Sequence, residues 1–137
     1  MSKQDLSPFD KNPRHLAIGW LDAEHPYTQG KTSDDFRERL YELCLHPFIV
    51  FNRGLMKCPF CQKEGKPEPT VWNGQKMPYG ASRIHIHGQG KKYIAHGLLF
   101  HYVNDHNYRP PDEFVEAVMR PRNWFQKKID RVIFDCQ

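Results

Sequence analysis

Two cysteines, Cys58 and Cys61, flank a Pro-Phe pair in the stretch "KCPFCQ", and two histidines, His101 and His106, flank four residues in "HYVNDH". Thiolate sulfur and imidazole nitrogen are donors that zinc takes tetrahedrally, with no electronic preference of its own for geometry. A two-residue gap lets one tight turn aim both sulfurs at a single ion, and a four-residue gap lies within the range of helix-borne histidine pairs. The predicted ligands are therefore Cys58, Cys61, His101 and His106, and the predicted cofactor is Zn2+. Five positions of an ideal helix rotate by about 140°, so the end of the helix near His106 is expected to be distorted. The 39 residues between the two pairs exceed the spacing of a short DNA-binding finger, as an inserted loop would produce.

Other histidines compete for the same chemistry. In "SRIHIHG", His85 and His87 lie two apart on an alternating pattern, so a strand would aim both to one side. Ile84 and Ile86 would then face the core, and the plain reading of the histidines is a polar strand face. His96 is a third candidate. An enzymatic alternative starts from the same pair, because imidazole titrates near neutral pH and can activate water as a general base. A metal-dependent nuclease would use His85 and His87 that way, beside a second metal. The chain carries neither the Asp-His pair nor the Asn and terminal His spacing expected of that class, so the catalytic set is read as none.

The elements that must position these residues follow from local pattern. "SDDFRERLYELCLHP" reads as a helix capped by Ser33 or Thr32, with acids in its first turn and Pro47 at its end. Phe36, Leu40, Leu43 and Cys44 recur along one apolar face. "FIVFNRGLMK" reads as a short strand or extended run into the cysteine turn, and residues 63–82 as a long polar loop rich in Pro and Gly. "SRIHIHG" and "KKYIAH" form a hairpin, then a helix spans roughly 98–107. Pro110 and Pro111 open a last helix, since proline is tolerated in a first helical turn. Within it Phe114, Ala117 and Val118 are expected to face inward. The tail "NWFQKKIDRVIFD" fits helix or strand equally.

The predicted fold class is α+β: a small zinc-stabilised domain with a β-hairpin followed by a helix, a ββα zinc-finger-like core, plus an N-terminal helix and C-terminal helices. Its expected divisions are an irregular arm over 1–18, the zinc-binding domain over 19–119 and a basic, aromatic extension over 120–137. A chain of 137 residues with 39% hydrophobic content and 11 prolines makes one domain with a modest core, which a structural metal would help to hold. No apolar run is long enough to cross a bilayer, and the first residues lack the apolar segment of a signal peptide. The expected location is the cytoplasm, where cysteines in this arrangement favour metal over disulfides.

The net charge of +4 is mild: residues 1–81 carry 11 basic and 10 acidic groups, and residues 82–137 carry 9 and 6. Nucleic acid is thus an alternative partner, through a patch of Lys91, Lys92, Arg122, Trp124, Lys127 and Lys128. Backbone-dominated binding of that kind would weaken steeply with salt. A solvated face is the plainer account of those charges, and no recognition helix with clustered base-reading side chains is evident.

"GWLDAEHPY", "CPFC" and "FHYVNDHNYRPPDEFVEAV" together resemble the motifs of a family of small, uncharacterised bacterial proteins: W-L-D-x-x-H-P, C-P-F-C and H-Y-x-x-x-H-x-Y-x-P-P-x-E-F. The resemblance spans about residues 18–119. It implies that Cys58, Cys61, His101 and His106 belong to a shared pattern, and that His85 and His87 do not clearly do so. Trp20, Asp22, His25, Tyr108 and Glu113 read either as a recognition surface or as structural residues, with Trp20 and Tyr108 over the core and Asp22 and His25 in a turn. Four protein ligands leave no position for water or substrate. The function expected is a non-enzymatic, zinc-stabilised binding module, a bacterial regulator or inhibitor acting on a protein partner.

Overall fold

The computed structural model describes residues 3–45, 58–65, 71–72, 75–76, 83–88, 90–120 and 131–133. Alternating apolar residues at Ile84 and Ile86 build a strand with one buried face, and this strand, β4 (Arg83–Gly88), turns through Gly90 into β5 (Lys91–His96). The two pair antiparallel, with Ile84 opposite Ala95 and Ile86 opposite Tyr93, so the apolar members of both strands share a face. Gly90 sits at φ +77°, the left-handed backbone that such a turn requires.

A strand within the first 18 residues is the main departure from sequence expectation. His15–Ile18 forms β1, which lies parallel to β5 and sets Leu16 beside Tyr93 and Ile18 beside Ala95. Parallel pairing joins segments far apart in the chain, which no local pattern in "HLAI" announces. The rest of the arm folds back over the free edge of β1: Leu6 N–H donates to Ala17 O (2.8 Å), Ala17 N–H to Ser7 O (2.9 Å) and Phe9 N–H to His15 O (2.8 Å). With β6 (Arg131–Ile133) antiparallel to β4, the sheet order is β1-β5-β4-β6. Within the stretch read as a loop, β2 (Val71–Trp72) and β3 (Gln75–Lys76) pair antiparallel as a separate sheet.

Helices cover the apolar face of the larger sheet. In α1 (Asp34–Leu45), Ser33 Oγ accepts the Phe36 N–H at 3.0 Å, so the cap is Ser33, and Phe36 and Leu40 are buried. The side chain of Cys44 lies outside the described residues. Two further helices are α3 (Leu99–Asp105) and α4 (Asp112–Met119). The helix α4 presents Phe114, Ala117 and Val118 inward, and Arg39 of α1 donates to the carbonyls of Met119 (3.2 Å) and Arg120 (2.9 Å) at its C-terminal end. A Cβ on Gly88 would come within 2.8 Å of Ala117 Cβ, which is how closely α4 lies on β4. The result is a small mixed α+β domain.

The stretch "FIVFNRGLMK", the extension residues Arg122, Trp124, Lys127 and Lys128, and Cys136 lie outside the described residues. Among the described residues no helix is long and apolar enough to cross a membrane.

Candidate metal centre

Cys58 is the N-cap of a short helix, α2 (Pro59–Glu64). Pro59 occupies its first helical position, where the missing N–H costs nothing, and Gly65 ends it at φ +69°. Cys61 therefore lies one turn above Cys58, and its N–H points at Cys58 Sγ, 3.4 Å away. The "CPFC" spacing thus aims both sulfurs inward while giving one of them a backbone donor.

The histidines come from the end of α3. His101 lies within the helix, but His106 is its C-cap, with φ −120° and ψ 16°. This departure from helical geometry brings two residues that would be about 140° apart on an ideal helix to the same point. Asn107, at φ +55°, then reverses the chain, and the N–H groups of His106 and Tyr108 both donate to Tyr102 O.

The four donor atoms of Cys58, Cys61, His101 and His106 lie within 4.8 Å of one another, a group that can hold a metal ion. Cys61 Sγ is 3.2 Å from His101 Nε2 and 3.4 Å from His106 Nε2, Cys58 Sγ is 3.4 Å from His106 Nε2, and the two Nε2 atoms are 3.2 Å apart. A tetrahedral ion with zinc-like bonds needs edges of about 3.3 Å between nitrogens and about 3.5 Å between nitrogen and sulfur. The observed edges fit that figure.

Electrostatics favour the same reading. His101 Nδ1 lies 2.9 Å from Asp105 Oδ2, and a carboxylate there accepts the Nδ1–H, which assigns the tautomer and leaves the Nε2 lone pair facing the cluster. Electron-rich atoms facing one point repel unless a proton or a cation lies between them. Burial pushes the Cys58 thiol up to about 12, so it keeps its proton at neutral pH while the site lacks a metal. Cys58, Cys61 and His101 are 0%, 5% and 3% exposed. Phe60 lies tilted against His106 at 5.1 Å and Tyr102 against His101 at 6.1 Å between ring centroids.

A family model described as "Domain of unknown function (DUF7919)" matches residues 1–119. The chain belongs to this family. No curated protein and no solved structure matches it.

The remaining sequence-predicted residues of this DUF7919 chain are dispersed. His85 and His87 lie on β4, outside the cysteine–histidine cluster, with Ile84 and Ile86 buried between and beside them. His96 is likewise not in the cluster: its Nδ1 accepts the Leu98 N–H at 3.0 Å, and its ring meets Trp20 edge-on at 4.8 Å. Lys91 and Lys92, expected on one patch, are strand neighbours and leave opposite faces of the sheet. Lys91 Nζ pairs with Glu113 Oε2 of α4 at 3.0 Å, which holds the Glu113 carboxyl below its ordinary range.

Trp20, Asp22, His25, Tyr108 and Glu113 each make structural bonds. Trp20 Nε1–H donates to Ile94 O (2.9 Å), and Asp22 Oδ1 accepts the backbone N–H groups of Glu24 (3.1 Å) and His25 (3.0 Å). Tyr108 is buried, and its hydroxyl donates to Asp5 Oδ2 at 2.7 Å; Glu113 accepts the Tyr93 hydroxyl at 3.0 Å.

Asp105 is the residue that sequence reasoning missed in this candidate centre. Its signal was present, since it stands four positions after His101 on the same helix face. With Asp105→Asn, metal affinity should fall about 10-fold or more, while the fold at saturating metal is retained. Competition titration with a chromophoric chelator reads this directly, and an unchanged affinity would remove Asp105 from the site.

Proposed function

We propose that this chain is a zinc-stabilised binding module that acts on a protein partner, in the manner of a bacterial regulator or inhibitor. The observation that carries this reading is the donor set: two sulfurs and two imidazole nitrogens, all from the chain and mostly buried, within 4.8 Å of one another. Zinc is the metal this set suits best, because mixed thiolate and imidazole donors in a tetrahedron match its ligand preference. With four protein ligands the ion has no open position for water, so its contribution is to folding and shape. The H-Y-x-x-x-H-x-Y motif fits this reading as the part that delivers two of the four donors. The separation of Lys91 from Lys92 supports a protein partner over a nucleic acid, since Lys91 is paired with Glu113 and the two lysines leave opposite faces of the sheet instead of forming a basic pair.

Elemental analysis of the purified protein tests the proposal. A single zinc per chain is expected, lost in His101→Ala and in His106→Ala, and retained in the double variant His85→Ala with His87→Ala. Zinc that survives both ligand substitutions, or that disappears with the hairpin pair, would move the metal to the hairpin and make a nuclease assay the next step.

A further inference from the structure

The two sulfur donors of the candidate centre come from a single helical turn, and the spacing that aims them at one ion also lets them bond to each other. Cys58 is the N-cap of α2 and Cys61 lies three positions on. Cα atoms at that spacing in a helix are about 5 Å apart, inside the disulfide range of about 4.4–6.8 Å. The Cys61 N–H reaches Cys58 Sγ at 3.4 Å, and the two sulfurs lie within 4.8 Å of each other. Bonding requires them to close to about 2 Å. That is a side-chain movement within α2, and it draws no other element along.

Sulfur bound to a metal is thiolate, the form that attacks an oxidant. A thiolate oxidised to the sulfenic acid condenses with a neighbouring thiol to a disulfide, and here the neighbour is one turn away. Burial decides which oxidant arrives. Cys58 and Cys61 are 0% and 5% exposed, with Phe60 and His106 half-buried beside them. Hydrogen peroxide is little larger than water and needs only a small opening on that side. A bulky disulfide must instead bring its own sulfur against a buried one, and access limits that exchange.

Pairing of the sulfurs would empty the centre. Two imidazoles are half of a tetrahedral donor set, so the ion leaves with the thiolates gone. His101 stays held in α3 by Asp105 at 2.9 Å. Between α2 and α3 the contacts of Phe60 persist, with its ring 5.7 Å from Tyr102 and 5.1 Å from His106. The helices therefore keep their neighbours while losing the ion that ties them, which makes the change one that can be undone.

We infer that Cys58 and Cys61 form a reversible, peroxide-driven switch on the metal centre. The two thiolates give two electrons to hydrogen peroxide, whose O–O bond breaks to leave two hydroxide ions. An S–S bond forms between Cys58 Sγ and Cys61 Sγ, and the metal ion is released with its charge unchanged. A dithiol reductant returns the two electrons and restores both donors. The inference rests on the zinc-stabilised reading and adds the regulation of its site.

The test treats the full-length, zinc-loaded chain with hydrogen peroxide and, separately, with glutathione disulfide. A chromophoric chelator reads released zinc. Alkylation after denaturation, followed by tryptic mass spectrometry, reads the thiols, because cleavage after Lys57 and Lys63 leaves both cysteines in one peptide. With peroxide, one zinc should be released for each disulfide, and that peptide should be unalkylated and two hydrogens lighter than the dithiol. Dithiothreitol with added zinc should reverse both changes, and glutathione disulfide should leave zinc and thiols in place over the same time. Zinc retained under peroxide, a disulfide made to Cys44 or Cys136 instead, sulfonic acids that dithiothreitol does not reverse, or equal release by glutathione disulfide would each overturn the inference. Metal content before treatment separates the two failures. A chain purified without zinc removes the metal reading and the switch with it, whereas a zinc-loaded chain indifferent to peroxide removes the switch alone.

Discussion

Cys58→Ser will abolish the cooperative unfolding transition of this chain, and excess chelator will do the same to the wild type. Structural zinc contributes roughly 10–16 kcal/mol of apparent binding energy in small domains, whereas the whole stability of a domain is about 5–15 kcal/mol. Losing the metal therefore exceeds what the core can absorb. The hydroxyl of serine keeps a polar atom at the helix cap of α2, so a failure to fold reports on metal binding and not on the cap. Circular dichroism against temperature, with and without chelator, is the measurement. A chelator-treated chain that still melts cooperatively at the wild-type temperature would reduce the cluster to hydrogen-bonded side chains. Because the Cys58 thiol is pushed up to about 12 in the metal-free chain, zinc uptake must displace its proton, and apparent affinity should rise with pH.

A second large effect concerns acid. Burial pulls His96 down to about 4 from its ordinary 6.5, and its Nδ1 accepts the Leu98 N–H as a neutral ring must. Between those two values the unfolded chain binds a proton that the folded chain refuses. Stability therefore rises with pH across this window and is lost as pH falls through it. The loss from pH 7 to pH 5 amounts to about 2 kcal/mol for a shift of this size. His96→Asn keeps an acceptor for Leu98 N–H but cannot titrate. Urea unfolding at both pH values, at saturating zinc, should show the wild type losing about 2 kcal/mol more than His96→Asn. Equal losses would assign the acid sensitivity to the metal ligands alone.

The candidate site was legible in the sequence because its ligands obey short-range rules: a Cys-x2-Cys turn and a histidine pair near a helix end. The distortion at His106 followed from the same arithmetic, since a four-residue gap does not put two side chains on one helix face. Local signals also gave α1, whose Ser33 cap and apolar spacing sit within a few residues of each other, and the β4–β5 hairpin, whose alternation continues through both strands. What escaped reading is non-local. The strand status of His15–Ile18 depends on β5, which lies far away in the sequence, and the cover that residues 6–9 give to its edge depends on β1 existing first. The split of Lys91 from Lys92 followed from strand alternation, and only the position of α4 shows where the first of them goes.

The parallel partnership of β1 with β5 also bears on the order in which the chain is made. Ribosomal synthesis delivers His15–Ile18 long before Lys92–Ala95, so the first strand emerges without its neighbour. The hairpin β4–β5 and α3 are close in the sequence and need few long-range closures, which makes them the fast part of folding. The four donors of the candidate centre are complete once His106 emerges, and from that point a metal bound there would tie α2 to α3. On that ordering the N-terminal strand would dock last, onto a surface already formed. Until it does, the apolar pair Leu16 and Ile18 is a nascent segment exposed to chaperones and to neighbouring chains.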